Sequence, residues 1–381
     1  MAIKNSLALY IHIPYCIKKC NYCDFVSFKY APHKLEAYVN CLLEEINIFC
    51  KNIGNNRLTV STVYIGGGTP SLLTPEELKS ITSTLNQCFD LNSVTEFTIE
   101  ANPETITFEK FKEYEALGVN RISMGAQSFN DKTLKILGRV HDSSKIYESF
   151  YILRKASFKN INIDLMFALP NETISETIFS LKEAVKLNPE HISYYSLMIE
   201  ENTPFFKMRD KLNLPDNNTE FLEYKRGMEI LKKNGYEQYE ISNFAKPGFR
   251  SKHNIQYWKN LPYIGFGVSA ASYIARVRYK NLSNIAKYCS EIKKGNLPID
   301  FREHLIGKEA KAEHIIMNLR MTDGADKKLY YTRFGNFMET DFKKTIDKLK
   351  TIKLIKENKN RLALTKKGLF VANTVFMEFL P

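Results

Sequence analysis

The fold of this chain is decided by the run Tyr10-Ile-His-Ile-Pro-Tyr-Cys16-Ile-Lys-Lys-Cys20-Asn-Tyr-Cys23-Asp24-Phe25, in which three cysteines fall within eight residues. Three thiolates at this spacing can bind three irons of a four-iron cluster and leave the fourth iron open to a small ligand. Zinc is the rival, but structural zinc sites need four ligands and usually pair two C-x2-C knuckles. No second knuckle follows, and His12 or His33 would have to supply the fourth ligand at an unusual spacing. The spacing therefore predicts an iron–sulfur cluster.

The overall composition is that of a globular protein with a basic balance. Lys and Arg total 54 against 42 Asp and Glu, which gives a formal net charge of +12 over 381 residues. This charge suits nucleic acid, anionic lipid or an acidic small molecule, and a lysine-rich proteome explains it equally well. No apolar run reaches the length of a membrane span. Since Met1–Ser6 leads straight into a short apolar run, we expect a strand there rather than a signal peptide.

Cysteine usage indicates the compartment. An odd total of seven, with three crowded together, favours a reducing environment, so a cytoplasmic location is expected. The other four cysteines have no metal-ligand spacing and are expected to be buried as small hydrophobic residues. They are Cys41, Cys50, Cys88 and Cys289.

Strand-like and helix-like segments alternate through the first three hundred residues, which is typical of a parallel sheet with right-handed crossovers. Six such units are too few for a closed eight-stranded barrel, so the pattern predicts an α/β fold with a partial (β/α)6 TIM-like barrel. Its site would lie at the carboxyl ends of the strands. The predicted strands are Leu7–Ile13, Val60–Ile65, Phe97–Glu100, Arg121–Met124, Ile161–Met166 and Ile192–Leu197. The predicted helices are Pro32–Phe49, Thr74–Phe89, Thr107–Leu117, Asp142–Ala156 and Thr173–Leu187.

The pattern changes after about residue 300. Helices are predicted at Glu309–Met321, Phe334–Lys350 and Lys366–Phe379, with two short strands over Leu354–Leu364. This order predicts a winged-helix-like appendage, which we interpret as a lid or packing module because fold alone does not give function. We divide the chain into a barrel at 1–240, a segment at 241–300 that completes it, and a C-terminal domain at 301–381.

Polar and glycine residues follow the predicted strands where a site would lie. Gly66-Gly-Gly-Thr69-Pro-Ser lets backbone groups approach a ligand closely. It lacks the Gly-Lys-Ser/Thr ending of a phosphate loop, so it better suits the charged methionyl end of S-adenosylmethionine. Glu100, Gln127, Arg139 and Asp164 could bind an amine, a ribose or a carboxylate, and an ordinary ion-pair network is the alternative.

The only tryptophan lies in a second motif, His253-Asn254-Ile-Gln-Tyr257-Trp258. A histidine beside flat aromatic rings could ligate or stack on a tetrapyrrole. From the residues alone, a hydrogen-bonded structural histidine is the more frequent case, and both interpretations stay open.

These motifs together resemble the radical S-adenosylmethionine superfamily, and within it the branch of oxygen-independent coproporphyrinogen III oxidase and the heme chaperone HemW. The resemblance covers nearly the whole chain. It rests on the cysteine run, the Gly-Gly-Gly-Thr-Pro loop and four further segments: Thr98-Ile-Glu100-Ala-Asn-Pro-Glu, Arg121-Ile-Ser-Met-Gly-Ala-Gln127, Leu137-Gly-Arg139-Val-His141 and Ile163-Asp164-Leu-Met-Phe-Ala-Leu-Pro170.

The resemblance implies a role for each matching residue. Cys16, Cys20 and Cys23 would bind a [4Fe-4S] cluster. Arg139 would face the methionyl carboxylate of S-adenosylmethionine and Asp164 its ribose hydroxyls. The full set implied to hold S-adenosylmethionine is Tyr10, Gly67, Gly68, Thr69, Glu100, Gln127, Arg139 and Asp164, and the set implied to bind heme is His253, Asn254, Tyr257 and Trp258.

Two functions follow from the resemblance, and departures from the oxidase pattern favour one. The oxidase motif continues to a fourth cysteine, where this chain has Asp24-Phe25, and the oxidase has a longer extension ahead of the cluster. The run His253-Asn-x-x-Tyr257-Trp258 resembles the H-N-x-x-Y-W heme-binding motif of the chaperone group. We therefore expect a heme chaperone that delivers heme to hemoproteins such as respiratory cytochromes. The alternative is the oxidase, which decarboxylates two propionates of coproporphyrinogen III to vinyls, so enzymatic activity is left undecided.

The expected partners follow from the same resemblance. They are heme or a porphyrinogen, acceptor hemoproteins and an electron donor, and a homodimer and a peripheral membrane contact stay open. A nucleic-acid-binding protein is a third, weaker hypothesis, because the basic residues form no single stripe and no specific nucleic acid is expected.

Overall fold

The computed structural model describes residues 7–54 and 57–381. The lead-in Met1–Ser6, which we expected to run into the first strand, lies outside the described residues. Within the described ranges, no helix has both the length and the apolar character that crossing a membrane requires.

Eighteen strands and sixteen helices are formed by the described residues. The strands are β1 Leu7–Ile13, β2 Tyr15–Cys16, β3 Phe28–Lys29, β4 Leu58–Gly67, β5 Phe89–Asp90, β6 Glu96–Ala101, β7 Arg121–Gln127, β8 Ile161–Phe167, β9 His191–Ser196, β10 Glu237–Gln238, β11 Asn243–Ala245, β12 Tyr263–Phe266, β13 Ala271–Ile274, β14 Val277–Asn281, β15 Ile299–His304, β16 Ala325–Asp326, β17 Ile355–Glu357 and β18 Arg361–Leu364. The helices are α1 Pro32–Ile53, α2 Pro75–Cys88, α3 Phe108–Ala116, α4 Asp131–Leu137, α5 Ser143–Lys155, α6 Ile174–Leu187, α7 Pro204–Lys207, α8 Asn217–Lys233, α9 Lys252–Trp258, α10 Ile285–Lys293, α11 Gly307–Leu319, α12 Lys327–Phe334, α13 Met338–Asp341, α14 Lys343–Thr351, α15 Lys366–Phe370 and α16 Ala372–Met377.

The six predicted strands form the centre of one large sheet, in the order β9-β8-β7-β6-β4-β1. All five pairings in this series are parallel, which confirms the predicted α/β architecture. A further strand, β12, pairs in parallel with β1 on the other side. Short antiparallel strands extend both edges, with β10 and β11 beyond β9 and the meander β13-β14-β15 beyond β12.

Local sequence signals fix where the helices begin. Helix α2 starts with a capping box, in which the Thr74 hydroxyl accepts from the Glu77 amide and the Glu77 carboxylate accepts from the Thr74 amide. Thr173 and Glu176 form the same motif at the start of α6. Each box satisfies two amides that a helix start leaves without partners.

One face of the parallel strands packs against the helices and builds the main core. Ile99, Ile122 and Ile163 are fully buried on this face, and they join one hydrophobic cluster with residues of α1, α2, α3, α5 and α6. Because side chains alternate along a strand, the neighbouring residues point to the opposite face, inside the partial barrel. That inner face is where polar residues collect.

The C-terminal residues form a second hydrophobic cluster that runs from Ile315 to Phe379. The paired strands β17 and β18 confirm the two predicted short strands. The prediction of one helix over Phe334–Lys350 was wrong, because Gly335 ends α12 in the left-handed conformation with φ 70° and the chain restarts as α13 and α14. The last predicted helix is likewise divided, into α15 and α16 at Val371.

The expectation of four unpaired structural cysteines was wrong for two of them. Cys50 at the end of α1 and Cys88 at the end of α2 form a disulfide with a Cα–Cα distance of 5.6 Å. Their 38-residue separation gave no signal in the sequence, because the packing of two helices brings them together. Cys41 and Cys289 are free and half-buried.

A buried carboxylate ties α1 to the later part of the sheet. Glu45 accepts hydrogen bonds from the Gly267 amide at 2.7 Å, the Asn281 side chain at 2.6 Å and the Tyr288 hydroxyl at 2.5 Å. Burial raises the pKa of Glu45 to about 7. This cluster joins residues more than two hundred positions apart in sequence.

We expect Glu45→Ala to lower the free energy of unfolding by about 2–4 kcal/mol, because three buried donors lose their acceptor. The exposed neighbour Glu44 provides the control, and Glu44→Ala should change stability by less than about 0.5 kcal/mol. Because the pKa of Glu45 is raised in the folded state, its contribution to stability is present at low pH and is lost as the pH rises through about 7. The difference in unfolding free energy between the wild type and Glu45→Ala should therefore be larger at about pH 5 than at about pH 8. Denaturant titration at the two pH values measures the free energy of unfolding of each variant. Equal effects of Glu45→Ala and Glu44→Ala would contradict the stabilising role of Glu45.

Candidate functional site

The cysteine loop lies at the carboxyl end of β1 and is held at its base and in its middle. Strands β2 and β3 pair in parallel and close the base of the loop, with Cys16 opposite Lys29. In the middle, the Asn21 amide donates to the Leu137 carbonyl at 2.9 Å and the Asn21 side chain donates to the Ile136 carbonyl at 2.8 Å. The loop is therefore held against the carboxyl end of α4.

The three thiols of this loop fit the donor set of a cluster. Cys16, Cys20 and Cys23 are free and half-buried, and burial raises the pKa of Cys16 and that of Cys23, the latter to about 11. Within 7–54 and 57–381, no three histidine, cysteine or acidic side chains converge on the position of a single metal ion. Cluster thiolates each bind a different iron, so they do not need to converge in this way.

The glycine loop after β4 lies directly against the start of the cysteine loop. A Cβ atom on Gly68 would lie 2.6 Å from the Tyr15 carbonyl oxygen, and one on Gly67 would lie 2.7 Å from the His12 ring. Gly67 also has φ +118°, which other residues rarely adopt. Only glycine fits at these two positions, and the backbone left open there can face a ligand.

Polar side chains at the carboxyl ends of the next strands surround the same space. Glu100 accepts from the Tyr64 hydroxyl at 2.7 Å and from the Gly67 amide at 3.0 Å. Asp164 accepts from the Asn162 side chain at 2.7 Å, and Gln127 accepts from the Tyr195 hydroxyl at 2.7 Å. The glycine loop and the polar side chains of these three strands thus form a rim at one end of the sheet, and Glu100 is hydrogen-bonded to the glycine loop.

Arg139 connects this rim to the cysteine loop. Its guanidinium donates to the Asn102 side chain at 2.7 Å, to the Gly125 carbonyl at 2.8 Å and to the Cys20 sulfur at 3.4 Å. The Nε of Arg139 is buried and has no hydrogen-bond partner among the described residues. A carboxylate bound here would find a fixed cation with a donor still available.

The burial pattern shows that the inside of the barrel is open at these residues. In each of β1, β6 and β8 a single residue is half-exposed while the rest of the strand is buried. Those residues are Tyr10, Glu100 and Asp164, all of them predicted site residues. The structure therefore brings the predicted cysteines and the residues predicted to hold S-adenosylmethionine to one end of the barrel.

Arg121 is a site residue that sequence reasoning missed. It opens β7, is only 2% exposed, and its Nε has no hydrogen-bond partner among the described residues. Burial raises the pKa of Glu100 to about 7 and also raises that of Asp164, and in both cases the charge of Arg121 opposes the rise. The sequence signal that could have identified Arg121 is its alternation with Ser123 and Gly125, which places the three residues on one face of β7.

The His253 motif lies toward the amino ends of the strands, and the centre of the His253 ring is 5.0 Å from that of Tyr64, whose hydroxyl donates to Glu100. Helix α9 begins where Glu96, the first residue of β6, accepts from the Lys252 and His253 amides at 2.8 and 2.9 Å. His253 is 1% exposed, and its two ring nitrogens bond to the Thr62 and Tyr257 hydroxyls, each at 2.9 Å. Burial lowers the pKa of His253 to about 3, so the ring is neutral.

The rest of the motif faces the C-terminal residues. The Arg320 guanidinium lies 4.4 Å from the centre of the Trp258 ring, and the indole Nε1 is buried without a hydrogen-bond partner in the described part of the chain. Ser251 caps α9, because its hydroxyl accepts from the backbone amide of Asn254. The four residues predicted to bind heme therefore lie together, but not at the cysteine loop.

Comparison with known proteins places these features in a family. The radical SAM superfamily pattern matches residues 10–184, and the HemN C-terminal domain pattern matches residues 307–371. The heme chaperone HemW of Lactococcus lactis is 38% identical over 99% of this chain and 98% of its own length. The heme chaperone HemW of Bacillus subtilis is 36% identical over 97% of this chain and 98% of its own length.

A solved structure shows the same fold. Coproporphyrinogen III oxidase (HemN) from Escherichia coli, described as a radical SAM enzyme, superimposes with a TM-score of 0.87 over 98% of this chain and 90% of its own, at 24% identity. The fold and the cysteine site thus define a radical SAM protein. Within that superfamily, the chain belongs to the family of the heme chaperone HemW.

We expect S-adenosylmethionine to bind more tightly as the pH rises through about 7, because Glu100 accepts hydrogen bonds best as a carboxylate. Arg121→Met removes the nearby positive charge, so the midpoint of this dependence should move up by about one pH unit, whereas Arg121→Lys should stay near the wild type. Equilibrium dialysis under anaerobic conditions measures the affinity. An unchanged midpoint in Arg121→Met would show that Arg121 has no electrostatic role.

Proposed function

We propose that this protein is a heme chaperone, which binds heme and delivers it to hemoproteins such as respiratory cytochromes. The observation that carries the proposal is similarity to HemW chaperones at 36–38% identity over nearly the whole chain. The cysteine run supports it, because Asp24-Phe25 stands where the oxidase pattern has a fourth cysteine.

The residues at the barrel end fit two cofactors of the superfamily. Cys16, Cys20 and Cys23 would hold a [4Fe-4S] cluster, which supplies an electron to S-adenosylmethionine when both are bound. Arg139 would bind the carboxylate of the methionyl group through its unpartnered Nε–H. Asp164 would accept from the ribose hydroxyls. The remaining residues of this proposed set are Tyr10, Gly67, Gly68, Thr69, Glu100 and Gln127.

The part of the chain that surrounds these cofactors would orient them and limit the access of water. Gly67 and Gly68 present backbone without side chains, which lets a ligand lie close to the strand ends. Glu100 is already fixed by Tyr64 and by the Gly67 amide, so it would not need to reorganise when a cation binds. The rim is therefore pre-organised for a ligand with separated positive and negative groups.

The second candidate is oxygen-independent coproporphyrinogen III oxidase activity. It is favoured by the fold shared with HemN. The missing fourth cysteine argues against it. Formation of protoporphyrinogen from coproporphyrinogen III under anaerobic, reducing conditions would support the oxidase over the chaperone.

The proposed partners follow from the chaperone role. They are heme, acceptor hemoproteins and an electron donor for the cluster, with a cytoplasmic location. The four-residue heme set of His253, Asn254, Tyr257 and Trp258 stays a prediction. Coordination of iron by His253 would first require breaking a hydrogen bond to Thr62 or to Tyr257.

The cluster assignment predicts that Cys23→Ser loses most of its iron and its visible absorption after anaerobic reconstitution, because serine is a poor ligand for iron–sulfur clusters. Cys41→Ser is the matched control, since Cys41 is also free and half-buried but lies on α1. Iron analysis should give about four irons per chain for the wild type and the control. Full iron content in Cys23→Ser would contradict the assignment.

The chaperone assignment predicts stoichiometric heme binding and transfer to an apo-cytochrome, without formation of protoporphyrinogen. Both assays should be run in parallel on one reconstituted preparation, with absorption spectra for heme and fluorescence for the oxidised porphyrin product. Repeated turnover of coproporphyrinogen III, or a failure of the wild type to retain heme, would overturn the proposal.

A further inference from the structure

Two of the free cysteines face each other across a helix contact on the outside of the barrel. Cys41 lies on α1 and Cys289 lies on α10, and a hydrogen bond joins their thiols. Both side chains are half-buried and pack against the main hydrophobic cluster. Neither belongs to the cysteine loop, so the proposed cofactor site does not account for this pair of thiols.

Contacts on both sides of the pair fix its position. One turn before Cys41, the Tyr38 ring lies 5.7 Å from the Tyr288 ring on α10. One turn after Cys41, Glu45 accepts from the Tyr288 hydroxyl at 2.5 Å. Because residues three and four positions apart share a helix face, Cys41 lies on the face of α1 that packs against α10. Cys289 directly follows Tyr288, so tertiary packing holds the two sulfur atoms together.

The pair lies next to the base of the cysteine loop. Burial raises the pKa of Tyr15, and the nearby Cys289 and Cys41 thiols add to the rise. The Tyr15 hydroxyl also donates to the Lys34 carbonyl in the first turn of α1 at 3.1 Å. Since Tyr15 directly precedes Cys16, a bond between the two thiols would act on the segment that positions the first cysteine of the loop.

Helix α1 carries a second cysteine pair at its other end, where Cys50 is bonded to Cys88 of α2. Every cysteine outside the cysteine loop therefore lies opposite another cysteine across α1. In a reducing compartment, such as the one proposed above, protein disulfides are usually redox-active rather than structural. Oxidation of the Cys41 and Cys289 pair would join α1 to α10, just as Cys50 and Cys88 join it to α2.

We propose that Cys41 and Cys289 form a redox-active dithiol, which a small-molecule disulfide such as glutathione disulfide oxidises to a protein disulfide between α1 and α10. The Cys41 thiolate attacks one sulfur of glutathione disulfide, whose S–S bond breaks and releases one glutathione. Cys289 then attacks the Cys41 sulfur of this mixed disulfide, and its proton passes to the second departing glutathione. Two protein thiols are oxidised, and one disulfide is reduced to two thiols.

The surroundings of Cys289 set the order of these steps. Burial, together with the facing Cys41 thiol, raises the pKa of Cys289 to about 12, so Cys289 is protonated at neutral pH. Cys41 reacts first, because a thiolate and not a thiol attacks a disulfide. In the mixed disulfide Cys41 carries no charge, so it no longer raises the pKa of Cys289. The charge of Lys293, one turn further along α10, then favours the Cys289 thiolate.

The disulfide would hold the base of the cysteine loop more firmly, because it limits the separation of α10 from α1 beside Tyr15. We therefore expect iron to leave the oxidised protein more slowly than the reduced protein. This inference goes beyond the proposed heme-chaperone function, and its test does not use heme.

The test equilibrates the full-length protein, with its cluster reconstituted, against mixtures of glutathione and glutathione disulfide without oxygen. Acid quenching and alkylation of the remaining thiols precede peptide mass spectrometry. The wild type should yield peptides linked through Cys41 and Cys289, in a fraction that rises as the mixture becomes more oxidising. Alkylation of both thiols at every ratio would overturn the inference.

Three variants test the assigned order and the independence of the pair. Cys289→Ser should stop the reaction at a mixed disulfide of glutathione with Cys41, whereas Cys41→Ser should leave Cys289 unmodified. Cys50→Ser/Cys88→Ser is the matched control, because it removes the other pair on α1 and should leave the linkage intact. Loss of the linkage in this control, or a free Cys41 thiol in Cys289→Ser, would overturn the proposed route.

Release of iron to a chelator without oxygen measures the effect on the cysteine loop. The oxidised wild type should lose iron at least about threefold more slowly than the reduced wild type, because the disulfide limits local opening. Cys289→Ser cannot form the bond and should lose iron at one rate in both mixtures. Equal rates in the two forms of the wild type would contradict the link to the loop. Initial iron content and circular dichroism confirm that each variant is folded.

Discussion

The contact between Gly68 and the backbone of Tyr15 is the constraint on which the rest of the site depends. The Gly68 amide donates to the Ile13 carbonyl at 2.8 Å, and there is no room for a Cβ atom between Gly68 and the Tyr15 carbonyl. This contact brings the end of β4 against the first residues of the cysteine loop. Because the Gly67 amide is in turn bound by Glu100, the cysteines, the glycine loop and the end of β6 meet at one edge of the sheet.

A second constraint is the polar interior of the barrel, which costs free energy unless each group is matched. Two of the buried histidines, His191 and His253, stay neutral because burial lowers the pKa of each. Burial raises the pKa of Glu100 and that of Asp164, and the charge of Arg121 opposes both rises. The interior therefore contains charged groups that a ligand can bind.

The sequence predicted the central sheet well because strong local signals mark its strands and helices. Strand β1 was placed at Leu7–Ile13 without error, and the capping boxes at Thr74 and Thr173 marked two helices. The pairing of β12 with β1 was not predicted, since it joins residues about 250 positions apart and leaves no local pattern. The role of Arg121 was missed for a related reason: only the assembled barrel shows that its Nε has no partner and that it lies near two carboxylates.

The most direct test of the account is electron paramagnetic resonance of the reduced, anaerobically reconstituted protein, recorded with and without S-adenosylmethionine. Three sulfur ligands leave one iron free to bind a small molecule, so the account predicts that the cluster spectrum changes when S-adenosylmethionine is added. An unchanged spectrum at saturating S-adenosylmethionine, or a folded protein that takes up zinc in place of iron at the three cysteines, would contradict it.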